Sequence, residues 1–189
     1  MRPGQAIVLL WVAWLVSWIV AAFWSSRAER RAGMAEELSY RFFMIVGGVL
    51  LFVPARGVHG SLRLWQVGWN GAWICAGLTA VGFAFCWWAR IHLGLLWSGR
   101  VTKKADHHIV ETGPYALVRH PIYTGLLLAI GATMVAKGTL YGVAGAAAIM
   151  LSIAMKARLE ERFLRNELGS AAYDGYARRV PMLVPFLRF

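Results

Sequence analysis

Apolar residues run almost unbroken through several stretches of the chain, and polar ones gather between them. The first stretch, Gln5 to Trp24, is twenty residues without a charge, the length a helix needs to cross a hydrocarbon core of about 30 Å. Trp11, Trp14 and Trp18 recur there at helical spacing, which marks a lipid or packing face rather than a ligand site. A second stretch, Phe42 to Ala55, is short for a span unless its flanks reach the interface. The third, Val67 to Ala89, has Trp65 and Trp69 at one end and Trp87 and Trp88 at the other, as an interfacial aromatic belt would place them. From Pro121 to Met155 the only charge in 35 residues is Lys137, followed at once by Gly138. One straight helix of that length would measure about 52 Å, so the pattern predicts two helices turning at Lys137-Gly138. The expected fold is therefore an all-α integral membrane protein of about five transmembrane helices. A wetter stretch, Arg90 to His120, interrupts it, and a polar amphipathic segment, Lys156 to Arg179, precedes an apolar tail, Pro181 to Phe189.

Composition agrees with that pattern. The chain of 189 residues is 59% hydrophobic and 15% charged, against about 25% charged in soluble domains. A soluble globule this small has too little interior for so much apolar surface, and disorder requires the opposite composition. No cleavable leader is expected, because the first apolar run has bilayer length and only Arg2 ahead of it. Cys75 and Cys86 lie about 16 Å apart if their stretch is helical, beyond disulfide reach, and they have no metal-binding spacing. No linker or repeat divides the chain, so residues 1–189 read as one membrane domain, with two spans in 1–66.

The formal net charge is +11. Arg27, Arg30, Arg31 and Arg41 follow the first span, and Arg90, Arg100, Lys103, Lys104 and Arg119 follow the third. The other side would hold Arg2, Arg56, Arg63 and Lys137. The positive-inside rule then puts the amino terminus outside and the carboxyl terminus in the cytoplasm. All nine carboxylates fall on the same predicted cytoplasmic side. A basic surface facing anionic lipid accounts for the charge without a nucleic-acid partner.

Candidate chemistry lies on that side. No dinucleotide fingerprint, P-loop, His-Glu-x-x-His or cysteine pair is present, so neither a soluble nucleotide fold nor a zinc site is expected. His107 and His108 are adjacent and point different ways on a helix or a strand, a weak metal site. The densest segment runs from Gly113-Pro114-Tyr115 through Arg119-His120-Pro121-Ile122-Tyr123 to Gly125. Gly-Pro makes a turn and Pro121 suits the first turn of a helix, so Arg119, His120 and Tyr123 should cluster where a polar loop enters the membrane. Free amides there would accept an anion such as a ligand carboxylate. An interfacial anchor has the same composition. Lys156 and Glu160 share a helix face and Glu161 points about 100° away. Such a pair is ordinarily a surface ion pair of little energetic value; at the rim of a membrane helix it lines a cavity more readily.

Arg90 to Ser98, Gly113-Pro114-Tyr115, Arg119-His120-Pro121-Ile122-Tyr123-x-Gly125, Glu160-Glu161, and Leu168-Gly169 with Tyr173, Tyr176, Arg179-Val180-Pro181 and Pro185 resemble, in order and spacing, the isoprenylcysteine carboxyl methyltransferases and the related phospholipid methyltransferases. The likeness covers roughly the carboxyl-terminal half; the first two spans carry no such signature. It implies a membrane methyltransferase whose core is residues 67–189, with S-adenosyl-L-methionine in a cytoplasmic pocket closed by the carboxyl-terminal segment. By motif position, His107, His108, Ile109, Val110, Tyr115, His120, Pro121, Ile122, Tyr123 and Glu160 would be cofactor-binding. Prenylcysteine members carry an arginine on the acceptor side one turn before that acid. Here Lys156 stands there, a point charge without the bidentate fork.

Methyl transfer is an in-line displacement from a sulfonium, for which a protein mainly aligns donor and acceptor and excludes water. No metal is required. Lys156 and Glu160 are the expected catalytic pair, with Glu160 at the cationic end of the cofactor, His120 and neighbouring amides at its carboxylate, and Lys156 orienting an anionic acceptor. A carboxylate acceptor is already ionised at neutral pH, whereas an amine must lose a proton. The leading expectation is a lipidic, prenylcysteine-like carboxylate entering from the bilayer, ahead of phosphatidylethanolamine-type N-methylation. Two other readings compete: an NADPH-dependent sterol-type reductase, for which Arg100, Lys103 and Lys104 would serve the extra phosphate, and a non-enzymatic membrane scaffold.

Overall fold

The computed structural model describes residues 1–24, 30–31, 34–53, 62–97, 102–103 and 109–187. Seven α-helices lie among them: α1 Pro3–Ala22, α2 Met34–Phe52, α3 Trp69–Leu93, α4 Pro114–Leu117, α5 Pro121–Lys137, α6 Leu140–Leu168 and α7 Ser170–Arg179. Two two-residue strands, β1 (Arg30–Arg31) and β2 (Thr102–Lys103), pair antiparallel. The apolar stretches before the tail correspond to helices, the last of them to two. Three of these, Pro3–Ala22, Trp69–Leu96 and Leu140–Glu167, are long and apolar enough to cross a membrane. Of the other two, α5 has 17 residues, and α2 carries Glu36 and Glu37 in its first turn.

The turn at Lys137-Gly138 forms as its residues require. Gly138 adopts φ 58°, ψ 33° and closes α5, and the Thr139 hydroxyl accepts from the Gly142 amide to cap α6. Residues 63–65 lie against this turn, with Leu64 N donating to Gly138 O at 2.8 Å and Arg63 bridged to Thr139. The Lys137 ammonium donates to Leu51 O and Val53 O, the orphan carbonyls ending α2. The polar segment beginning at Lys156 is not a separate element as its composition suggested. It continues α6 to Leu168, breaks at Gly169 and resumes as α7.

Helix α3 packs on α5, and α2 on α6. Glycine pairs let their backbones meet: a Cβ on Gly82 would fall 2.5 Å from Gly125 O, and one on Gly47 2.7 Å from Gly145 O. Helix α1 lies against α3 and contributes Trp11 and Trp14 to the core with Phe83, Ala129, Ile130 and Ile153. The tryptophan stripe is thus a packing face, and Trp11 Nε1 donates to Thr133 Oγ1 at 2.9 Å. Trp87 likewise turns inward, bonding Ser17 and meeting the Trp18 ring edge-on. Outward positions of α1, α2 and α3, among them Val8, Val16, Ile19, Ile45, Val49, Ile74 and Val81, are exposed and apolar, as lipid-facing surfaces are. Cys75 and Cys86 are buried free thiols.

Opposite the Lys137 turn, Arg90 joins the ends of α1 and α3. Its guanidinium is fully buried, donates to Ala21 O, Trp24 O and Gly94 O, and lies over the rings of Trp24 and Trp97. Arg90 reads in sequence as an orientation mark; in the fold it caps two helix ends.

Candidate functional site

The site forms where α5 begins, beside the polar end of α6. His120 is the N-cap of α5 and Pro121 its first residue, so Tyr123 falls in the first turn. On α6, Lys156, Glu160 and Glu161 face this turn. Tyr123 Oη donates to Glu160 Oε1 at 2.7 Å, and the Lys156 ammonium stands 3.9 Å from the same oxygen. The His120 ring stacks on Tyr123 with centroids 5.4 Å apart. Its Nδ1 lies 3.5 Å from Glu160 Oε2 and its Nε2 3.1 Å from Glu161 Oε1. Burial would lower the His120 pKa, but its hydrogen bonds to Glu160 and Glu161, with their charges, outweigh that effect and hold it above the ordinary value.

Arg119 faces the other way along the loop. Its Nε donates to Glu161 Oε1 at 2.7 Å and its Nη2 to Oε2 at 3.1 Å, a bidentate pair. Its Nη1 donates to Ala177 O and Val180 O, the carbonyls at the end of α7. The segment after α7 returns across the start of α5: Arg119 N donates to Pro181 O, His120 N to Met182 O, and Thr124 Oγ1 to Leu183 O. These amides, expected in sequence to be free for a ligand carboxylate, are therefore occupied by the chain's own carbonyls. Helix α7, which carries this carboxyl-terminal strap, is held further by Tyr176 Oη donating to Tyr115 O at 2.8 Å, by Arg165 on Asp174, and by Arg179 on Glu111.

The remaining sequence candidates spread around this cluster. Tyr115 is buried on α4, its ring stacked against His92, and burial raises its pKa. Ile122 lends its carbonyl to Cys86 Sγ, and Ile109 packs on Tyr173, Tyr176 and Val180 beneath the strap. Val110 is half-buried. His107 and His108 lie outside the described residues. No group of three or more His, Cys, Asp or Glu poised for a metal occurs among the described residues. Two features went unread in the sequence. One is Glu161 as the partner of Arg119. The other is Tyr40 of α2, whose ring centroid lies 5.8 Å from the Lys156 ammonium, with that of Tyr123 at 5.5 Å. A groove of about 610 Å³, lined by Glu36, Arg158, Glu161, Arg162, Tyr173 and Asp174 among others, adjoins the cluster through Glu161.

Against known proteins, residues 75–166 match the isoprenylcysteine carboxyl methyltransferase family, and α5 and the site-bearing part of α6 lie in that segment. Over that segment the chain resembles this family. It is 35% identical over 151 residues to methanethiol S-methyltransferase 2 of Bradyrhizobium diazoefficiens, covering 74% of this chain and 55% of that protein. To the cobalt-zinc-cadmium resistance protein CzcN of Cupriavidus metallidurans it is 31% identical over 141 residues, 74% of this chain and 61% of that protein. To protein-S-isoprenylcysteine O-methyltransferase B of Arabidopsis thaliana it is 30% identical over 89 residues, 47% of this chain and 45% of that protein. The chain thus spans roughly half the length of these relatives. Within the family segment fall Arg119, His120, Tyr123, Lys156, Glu160 and Glu161. Tyr40, α7 and the strap lie outside it.

Proposed function

We propose that this protein is an S-adenosyl-L-methionine-dependent methyltransferase of the membrane, acting on the carboxylate of a lipidic, prenylcysteine-like acceptor. The carrying observation is the half-buried meeting of Tyr123, Lys156 and Glu160 around the buried His120 at one end of α5 and α6, inside the family segment. The residues present suit a cationic cofactor, because the cluster already stabilises a cation: an ammonium lies between two tyrosine rings and beside a carboxylate. The bound cofactor would supply an electrophilic methyl group on a sulfonium. The chain's own part is to hold, align and exclude water. Glu160 meets positive charge, Tyr123 and His120 fix the Glu160 carboxylate by hydrogen bonds, and Lys156 draws an anionic acceptor into line. A carboxylate needs no general base, and the cluster does not have to furnish one.

The polar end carrying this cluster would face the cytoplasm, with the amino terminus outside and α2 and α5 crossing the membrane alongside the three longer helices. The basic surface there would lie on anionic lipid. One observation favours a second acceptor. Similarity to a protein named as a methanethiol S-methyltransferase covers 74% of the chain, and to a prenylcysteine enzyme 47%. A thiolate presents the same negative charge to Lys156.

The test uses detergent-purified full chain. S-adenosylhomocysteine should bind and NADPH should not. Labelled S-adenosylmethionine should label a prenylcysteine analogue in a base-labile ester, or methanethiol as a thioether, and should leave phosphatidylethanolamine unlabelled. Glu160→Gln and His120→Ala should weaken S-adenosylhomocysteine binding. Binding of NADPH alone, or methylation untouched by both substitutions, would overturn the proposal.

A further inference from the structure

We infer that Tyr40, on α2, is an acceptor-binding residue: its phenol hydroxyl donates a hydrogen bond to the anionic group of the acceptor beside Lys156. The inference rests on the methyltransferase reading and extends the site to a helix outside the family segment. Tyr40 is 5% exposed, and its ring packs with Met155, Leu159 and Phe163. Its position is fixed. Ser152 Oγ donates to Tyr40 O at 2.6 Å, and two turns on, the Gly47–Gly145 approach holds α2 against α6.

The hydroxyl itself is the anomaly. It is buried and makes no hydrogen bond. Its charged neighbour, Arg41, is bound to Glu37 at 2.6 Å. A guanidinium has only donors, so even beside the phenol oxygen it offers nothing to the phenol hydrogen. A buried polar group left unsatisfied is costly and rare, and phenylalanine would serve the packing and the contact with Lys156 equally well. What phenylalanine lacks is a donor. That donor sits on the ring under the ammonium of Lys156, which in turn faces Glu160 and the Tyr123 ring. A cation and an O–H donor together recognise a carboxylate or a thiolate, and the Lys156 ammonium repels an ammonium headgroup. Tyr40 and Lys156 together therefore favour anionic acceptors over ammonium groups.

The decisive variant is Tyr40→Phe in the full-length, detergent-purified protein. Two acceptors are compared, a prenylcysteine analogue with a free carboxylate and methanethiol; whichever is methylated identifies the source of the negative charge. For that acceptor, KM should rise about tenfold to a hundredfold, the worth of one hydrogen bond to a charged group. Acceptor binding in the presence of S-adenosylhomocysteine, read by calorimetry, should weaken by the same factor. Affinity for S-adenosylhomocysteine alone should stay unchanged, and Tm should hold or rise, because an unsatisfied buried hydroxyl has been removed. An unchanged acceptor KM would overturn the inference. So would a fall in Tm with parallel loss of cofactor affinity, which would make Tyr40 structural. If the unsubstituted protein binds no S-adenosylhomocysteine and methylates neither acceptor, the methyltransferase reading itself fails.

Discussion

Replacing Arg119 by alanine should release the carboxyl-terminal strap while leaving α1 to α6 assembled. The side chain makes two bonds to Glu161 and two to the carbonyls of Ala177 and Val180. It is 11% exposed and its partner 20%, so solvent screens the pair little. Summing four charged hydrogen bonds at about 1.5–3 kcal/mol each would overshoot, since they share one group and the variant admits water to the carbonyls. The better measure is the cost of removing one partner from a buried pair, about 3–5 kcal/mol. His120 still donates to or shares a proton with Glu161, which places the expectation near the lower bound. About 3 kcal/mol is roughly a 150-fold increase in the population with the strap detached. Arg119→Lys keeps a charge and loses the fork, and should cost about half as much. Limited proteolysis of the detergent-purified protein reads the effect directly. Cleavage within 170–187 should accelerate about a hundredfold in Arg119→Ala, while cleavage elsewhere is little changed. A double-mutant cycle with Glu161→Gln should show coupling above about 1 kcal/mol. Equal proteolysis of the strap in wild type and Arg119→Ala would refute the assignment, whatever happens to Tm.

Two further perturbations follow from buried charges. The His120 pKa is raised in the fold by its two carboxylate partners, so the stability it contributes is fully present below about pH 6.5 and is lost as the pH rises through the higher folded value. The Tm difference between wild type and His120→Gln should therefore be largest near pH 6 and shrink toward pH 9; a constant or growing difference would contradict the pairing. Arg90→Met keeps the volume but orphans three carbonyls at the ends of α1 and α3. It should cost about 2–4 kcal/mol in reversible denaturation, more than Arg90→Lys, and equal stability of Met and wild type would show that the carbonyls find other partners.

The helices were legible because membrane helices announce themselves by length and continuity of apolar residues, and Gly138 marked the turn between α5 and α6. His120 and Tyr123 were legible as a pair because Pro121 fixes where α5 begins, and Lys156 and Glu160 because four residues make one helix face. Contacts between distant segments were not. Nothing local to Tyr40 distinguishes it from an interfacial tyrosine; its place under Lys156 depends on the α2–α6 crossing set by Gly47 and Gly145. The amides of Arg119 and His120 were expected to await an anion because the loop was considered without the strap that pairs with it. Arg90 illustrates the same limit from the other direction, since a basic residue at a helix end fits a charge rule as well as it fits a cap.

The two adjacent glutamates divide the site. Successive residues on a helix diverge by about 100°, so Glu160 and Glu161 point into different surroundings. Glu160 faces the bundle, toward Tyr123 and Lys156, where methyl transfer is proposed. Glu161 faces out, toward Arg119, α7 and the groove beside it. Among the described residues, the His120 ring reaches both. With the imidazole charged, its two N–H groups serve both carboxylates at once; neutral, it keeps a single N–H and can donate to only one. Any event that draws Glu160 toward a new cation therefore frees His120 to bind Glu161 more closely, on the very carboxylate that anchors the strap. The proposed reaction site and the strap are in this way joined through one ring, and a His120 variant should disturb both together: weaker S-adenosylhomocysteine binding accompanied by faster cleavage of the strap, where a residue belonging to either half alone would alter one without the other.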